Sequence, residues 1–134
     1  MAEYVSRGII DMVQLHGHED ELYISRLREL TSAPVIQAFR IGSAEYIKAA
    51  DSSTGDYILL DSGAGSGRTF DHDLIEGITR PYFLAGGLDP DNAGDIISRL
   101  HPFAADASSS LETNGFKDIE KMKAFVNAIR RKDE

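Results

Sequence analysis

Two stretches of this chain carry the most chemistry. Leu84-Ala85-Gly86-Gly87-Leu88 and Asp106-Ala107-Ser108-Ser109-Ser110-Leu111-Glu112 each run from strand-like residues into small ones. Gly and Ser let a ligand approach the main chain, and the N–H groups there are donors. Two neighbouring strand ends of this type wrap one phosphate. Gly86, Gly87, Ser108 and Ser109 are therefore candidate phosphate-binding residues. The same small residues also suit close packing of a helix on a strand.

Asp61 closes the apolar run Tyr57-Ile58-Leu59-Leu60. A carboxylate at a strand end is placed for general acid or base work, or for capping the amides of the next loop. The segment after it, Ser62-Gly63-Ala64-Gly65-Ser66-Gly67-Arg68-Thr69-Phe70-Asp71, has glycines at alternate positions. It matches neither the dinucleotide fingerprint nor a Walker A motif. It reads as a loop that closes over a ligand or as a plain connection. His16 and Arg40 also stand at strand ends and are candidate substrate contacts, His16 reading equally as a structural residue of the rim. His16 and His18 have no third partner at ligand spacing, so no metal site is expected. Nothing in the sequence calls for a cofactor.

These residues need a frame, and the apolar pattern supplies one. Strands are expected at Ile9 to Leu15, Pro34 to Ile41, Tyr57 to Asp61, Pro81 to Ala85 and, more weakly, Pro102 to Ala107. Between them lie amphipathic stretches: Glu19 to Leu30; Ala44 to Ala50 with Ser43 as cap; Asp71 or His72 to Ile78; and Asp89-Pro90 to Leu100. A last helix after Lys117-Asp118 should pack Ile119, Met122, Phe125, Val126 and Ile129 onto the sheet. Strict β-α alternation means parallel strands joined by right-handed crossovers. All the candidate residues fall at strand C-termini, the edge where parallel sheets hold ligands. In an eight-stranded β/α barrel, phosphate sits after the last two strands.

Composition narrows the classes. The chain has 134 residues, 42% of them apolar and 27% charged, values of an ordinary globular domain. No cysteine is present, which removes disulfides, thiolate metal ligands and a thiol nucleophile. The net charge of −8 argues against nucleic acid and against an anionic membrane as partners. An anionic small molecule must then be held by local donors. There is no secretory signal pattern and no apolar run of membrane length, so a cytoplasmic location is expected.

Taken together, several segments come in a recognisable order. They are Val13-Gln14-Leu15-His16-Gly17, Leu59-Leu60-Asp61-Ser62 and Gly65-Ser66-Gly67-Arg68-Thr69-Phe70-Asp71, then Leu84-Ala85-Gly86-Gly87-Leu88-Asp89-Pro90-Asp91-Asn92 and Pro102-Phe103-Ala104-Ala105-Asp106-Ala107-Ser108-Ser109. In order and spacing the chain resembles phosphoribosylanthranilate isomerase, an enzyme family of tryptophan biosynthesis with a TIM barrel. The resemblance runs from Ile9 to Ile129 and corresponds to strands 4 to 8 of that barrel. It implies an Amadori rearrangement of N-(5-phosphoribosyl)anthranilate, with Asp61 as general acid and Gly86, Gly87, Ser108 and Ser109 on the phosphate. The family's first strand carries a Lys-Ile-Cys-Gly motif whose Cys is the general base, and its second strand an Arg that holds the anthranilate carboxylate. Neither has a counterpart here. Two smaller departures are His72 in the usual Phe-Asp-Trp and Ser110-Leu111 in the usual Ser-Ser-Gly-Val-Glu. Ser110 alters the loop if that position needs a positive φ.

The expectation is a single domain, 1–134, of α/β class: a partial TIM barrel of five βα units with parallel strands. Its substrate is a phosphorylated small molecule. As the C-terminal portion of the barrel it is expected to be inactive alone, to self-associate, or to pair with a complementing N-terminal barrel fragment. The alternative is a non-enzymatic sugar-phosphate-binding or structural half-barrel that self-associates.

Overall fold

The alternation of apolar runs and amphipathic helices builds one parallel sheet. The computed structural model describes residues 1–16, 18–62 and 72–130. After a short helix α1 (Ala2–Ser6) come β1 (Val13–Leu15), α2 (Glu21–Leu30), β2 (Val35–Arg40), α3 (Ala44–Asp51) and β3 (Tyr57–Asp61). A 3-10 helix (His72–Gly77), β4 (Tyr82–Ala85), α4 (Ala93–Leu100) and β5 (Ala104–Asp106) follow. The described residues end with a 3-10 turn (Ser109–Leu111), the small hairpin β6 (Glu112–Thr113) and β7 (Phe116–Lys117), and α5 (Ile119–Arg130). The sheet order is β1-β2-β3-β4-β5, every pair parallel, which is the expected α/β architecture of five parallel strands in sequence order.

Strand alternation divides the sheet into two faces. Ile58, Leu60, Tyr82 and Leu84 pack against helix residues that include Ile47, Ala50, Ala93 and Phe125. Val13, Leu15 and Val35 pack with Ile24 and Leu27 of α2. On the other face Ile36, Leu59 and Ala85 form a smaller cluster, bordered by Tyr57 and Phe83. Phe103 joins those two rings, with centroids 5.8 Å from Tyr57 and 5.7 Å from Phe83.

The N-terminal edge of the sheet is latched by charge and hydrogen bonds. Arg80 donates to the carbonyls of Ser53 and Gly55, each at 2.6 Å. Arg28 pairs with Asp56 at 3.1 Å and donates to the Thr54 carbonyl. Asp56 accepts the Val35 N–H at 2.8 Å, tying β2 to the start of β3. Burial pushes the Asp56 carboxyl up, but the Val35 N–H and the Arg28 guanidinium together hold it below the usual carboxylate range.

Several expectations change. The first strand is Val13–Leu15 rather than Ile9 to Leu15, because Ile9 is exposed and the chain bends before Val13. The fifth strand shortens to Ala104–Asp106. Ser43 stands at the N-cap of α3, but its side chain makes no capping bond. Helix α4 begins at Ala93, four residues after Asp89. There the Asp89 carboxylate accepts the N–H groups of Asp91 and Asn92, and the Asn92 side-chain oxygen accepts the Asp89 N–H. These side-chain bonds hold a separate turn ahead of the helix. On α5, Phe125 is buried, yet Ile119, Met122 and Val126 are exposed, so only part of the expected apolar face reaches the core.

Candidate functional site

The C-terminal edge of the sheet places one polar row. In register, Arg40 pairs with Asp61, Asp61 with Ala85, and Ala85 with Asp106. Beyond that row a cleft of about 340 Å³ opens, lined by Asp61, Gly86, Gly87, Ser108 and Ser109 together with Leu88, Asp89, Asp106 and Ser110. The two strand ends and the strand-end carboxylate singled out by sequence thus share one cavity. Arg40 is exposed beside Asp61 but is not among the lining residues. His16 follows β1, two strands from β3, and also lies outside the lining. Residues 63–71, which hold most of the glycine-rich loop, fall outside the described residues, as does Gly17.

Close approach explains the glycines. Gly86 has φ +82°, and a Cβ there would overlap the Asp61 carboxylate and lie 2.6 Å from the Ser62 hydroxyl and 2.9 Å from the Ser62 nitrogen. The chain after β4 therefore passes directly over the strand-end acid. Gly87 follows with φ +67°. Two successive left-handed residues turn the backbone away from the strand direction at the mouth of the cleft. Asn92 Nδ2 donates to the Gly87 carbonyl at 2.8 Å and fixes that turn.

The second strand end is braced in a way the sequence reading did not foresee. Asn114 (φ 53°) and Gly115 (φ 79°) form the tight turn between β6 and β7. Asn-Gly is the strongest short hairpin signal, because both central residues of a type I′ turn need positive φ. The hairpin sets Lys117 opposite Glu112. Lys117 Nζ donates to the Glu112 carboxylate at 2.7 Å, to the Ser108 carbonyl at 2.9 Å and to the Ser108 hydroxyl at 3.1 Å. Ser110 has no positive φ. It lies in the 3-10 turn, and its hydroxyl donates to the Leu88 carbonyl at 2.5 Å, linking the two loops. Ser110 therefore carries no left-handed strain, and its side chain cross-links the loop to Leu88.

Electrostatics set a condition on any ligand. Asp61, Asp89 and Asp106 all line the cleft. Asp89 is committed to its own turn. An anion must be held by main-chain N–H and hydroxyl donors rather than by the general field. Among the described residues no hydrogen bond uses the N–H of Gly87, Ser109 or Ser110. Among those residues, too, no group of three His, Cys, Asp or Glu side chains is arranged to hold a metal ion. No helix among them is long and apolar enough to cross a membrane.

Known proteins are similar to this chain in sequence and in fold. The profile of the N-(5′-phosphoribosyl)anthranilate (PRA) isomerase family matches residues 2–128. The N-(5′-phosphoribosyl)anthranilate isomerase of Endomicrobium trichonymphae is 43% identical over 126 residues, covering 90% of this chain and 62% of that protein. The phosphoribosyl anthranilate isomerase structure from Thermotoga maritima superposes with a TM-score of 0.81 at 33% identity, covering 97% of this chain and 65% of the other. A phosphoribosyl anthranilate isomerase solved in complex with reduced 1-(o-carboxyphenylamino)-1-deoxyribulose 5-phosphate superposes with a TM-score of 0.78 at 32% identity, covering 97% and 63%. The chain spans about three fifths of the length of these curated relatives.

Proposed function

Because this chain belongs to the N-(5′-phosphoribosyl)anthranilate isomerase family, we propose that it supplies the acid and the phosphate grip for the Amadori rearrangement of N-(5′-phosphoribosyl)anthranilate in tryptophan biosynthesis. The observation that carries the reading is one cleft shared by Asp61 and the β4 and β5 strand ends. On this reading residues 1–134 are one domain standing for strands 4 to 8 of the barrel. The substrate phosphate sits on Gly86, Gly87, Ser108 and Ser109. Asp61, one strand away, faces the ribose. Arg40 and His16 are candidate contacts farther along the same sheet edge.

The chemistry divides into two proton transfers. Protonated Asp61 donates to the furanose ring oxygen as the C1–O bond breaks, and the anthranilate nitrogen lone pair forms the imine. A base then removes the proton from C2, giving the enol-amine, which becomes the 1-deoxyribulose ketone. This chain holds no cysteine, so it has no thiol to act as that base. Loss of one proton-transfer group costs about 10²–10⁴ in rate. The isolated chain is therefore expected to be inactive, and a fragment carrying the first barrel strands to restore turnover.

Loss of substrate anthranilate fluorescence tests this. Turnover should appear only when the chain is mixed with strands 1 to 3 of a relative. Asp61→Asn in the mixture should abolish it, since the amide keeps the shape but donates no acidic proton. Turnover that survives Asp61→Asn removes Asp61 from the mechanism.

A specific observation favours a second reading. Phe103, Phe116 and Ile119 are 64%, 79% and 66% exposed. A sugar-phosphate-binding half-barrel that covers these residues by self-association also accounts for them. The complementation assay separates the two, because a binding module gains no turnover.

A further inference from the structure

We propose that Lys117 is a positioning residue for the anion site, aiming the Ser108 hydroxyl at the bound phosphate. The inference rests on the phosphate reading of the cleft and names the group that orients it.

An ammonium has three N–H donors and no acceptor. In Lys117 all three are committed: to the Glu112 carboxylate, the Ser108 carbonyl and the Ser108 hydroxyl oxygen. The ammonium is therefore not itself the anion's ligand. Its bond to Ser108 Oγ has one allowed direction, with Lys117 donating and Ser108 accepting. That occupies one lone pair of the hydroxyl and leaves its proton to be donated elsewhere. Ser108 lines the cleft, so an anion there is the acceptor in reach. The positive charge behind the hydroxyl also makes it a stronger donor.

Glu112 completes the device. Cross-strand pairing in the hairpin places it opposite Lys117, and its charge holds the ammonium at Ser108. The Asn114-Gly115 turn sets that register. The arrangement answers the charge problem of the cleft. A half-exposed ammonium whose three donors are committed, one of them to Glu112, polarises one hydroxyl at the cleft. Ser110, bonded to the Leu88 carbonyl, keeps the opposing loop at a fixed distance.

Titration of the whole chain with inorganic phosphate, followed by calorimetry, tests the proposal on wild type and on Gly87→Val, Ser108→Ala, Lys117→Met, Lys117→Arg and the Ser108→Ala/Lys117→Met pair. Losing one hydrogen bond to an ionised ligand weakens binding about tenfold. Ser108→Ala and Lys117→Met are each expected to lose about that factor, and the double variant little more than either. Lys117→Arg, which retains the charge, should recover part of the affinity. Losses that multiply in the double variant overturn the proposal, since Lys117 would then act apart from Ser108. Unchanged affinity in Ser108→Ala overturns it even if Lys117→Met fails to fold. Weak binding in Gly87→Val with wild-type binding in Lys117→Met removes the Lys117 role and leaves the phosphate site standing. A wild-type chain that binds no phosphate takes down both.

Discussion

At the residue scale, the tightest constraint in the site is the contact between Gly86 and Asp61. Any side chain at Gly86 meets the carboxylate and the Ser62 backbone, and it must also adopt a left-handed φ. Gly86→Ala is expected to lower stability by about 1–3 kcal/mol, the usual cost of a strained backbone at such a site. It should also displace Asp61, so the complemented activity should fall further than the stability loss explains. Urea unfolding and the fluorescence assay on the same variant check both parts. That Asp61, Gly86, Gly87, Ser108 and Ser109 share one cleft was legible in the sequence, because each stands at or just after the C-terminal end of a parallel strand. The contact of Lys117 with Ser108 was not legible. Lys117-Asp118 reads as the lead into a helix, and only the hairpin that folds the chain back brings the ammonium to Ser108.

At the element scale, the two edges of the sheet do different work. The C-terminal edge holds the cleft, and the N-terminal edge holds the Arg80, Arg28 and Asp56 latch. Asp56 titrates below its ordinary value in the folded chain. Its stabilising effect is therefore present above the unfolded-state pKa of about 3.9 and is lost as pH falls through the lower folded value. The stability gap between wild type and Asp56→Asn should be widest at neutral pH and close on acidification. A gap that stays constant from neutral to strongly acid pH contradicts this. Asp118 is also held below the usual carboxylate range, first by the Thr113 hydroxyl and then by the Lys121 and Glu120 N–H groups at the start of α5. In the core, Leu60 of β3 is fully buried against the helices, and Leu60→Ala should cost about 2–5 kcal/mol in urea unfolding. Strand existence and order followed from the apolar pattern. Boundaries did not, because the residues from Ile9 to Met12 are apolar enough to read as strand yet have no partner strand at that point.

At the scale of the whole molecule, the exposed apolar side chains are the feature to explain. Ile119, Met122 and Val126 recur at helical spacing along the outward side of α5, next to Phe116. Helical periodicity showed that these positions share a face with Phe125, but spacing alone does not tell how wide a stripe the sheet covers. Surface of this kind drives association. Sedimentation at rising concentration is expected to show species heavier than one chain. Adding a fragment with the first barrel strands should dissolve them in favour of a one-to-one complex. A monomer at every concentration that also ignores the fragment argues against both readings of this surface.

Amide nuclear magnetic resonance during titration with ribose 5-phosphate reads out whether the strand ends of β4 and β5 beside Asp61 hold an anion. Saturable shifts are expected to concentrate on Gly86, Gly87, Ser108, Ser109 and Ser110, with smaller changes at Asp61 and almost none along the Arg80 latch. Shifts centred on other residues, or none at millimolar ligand, would contradict it.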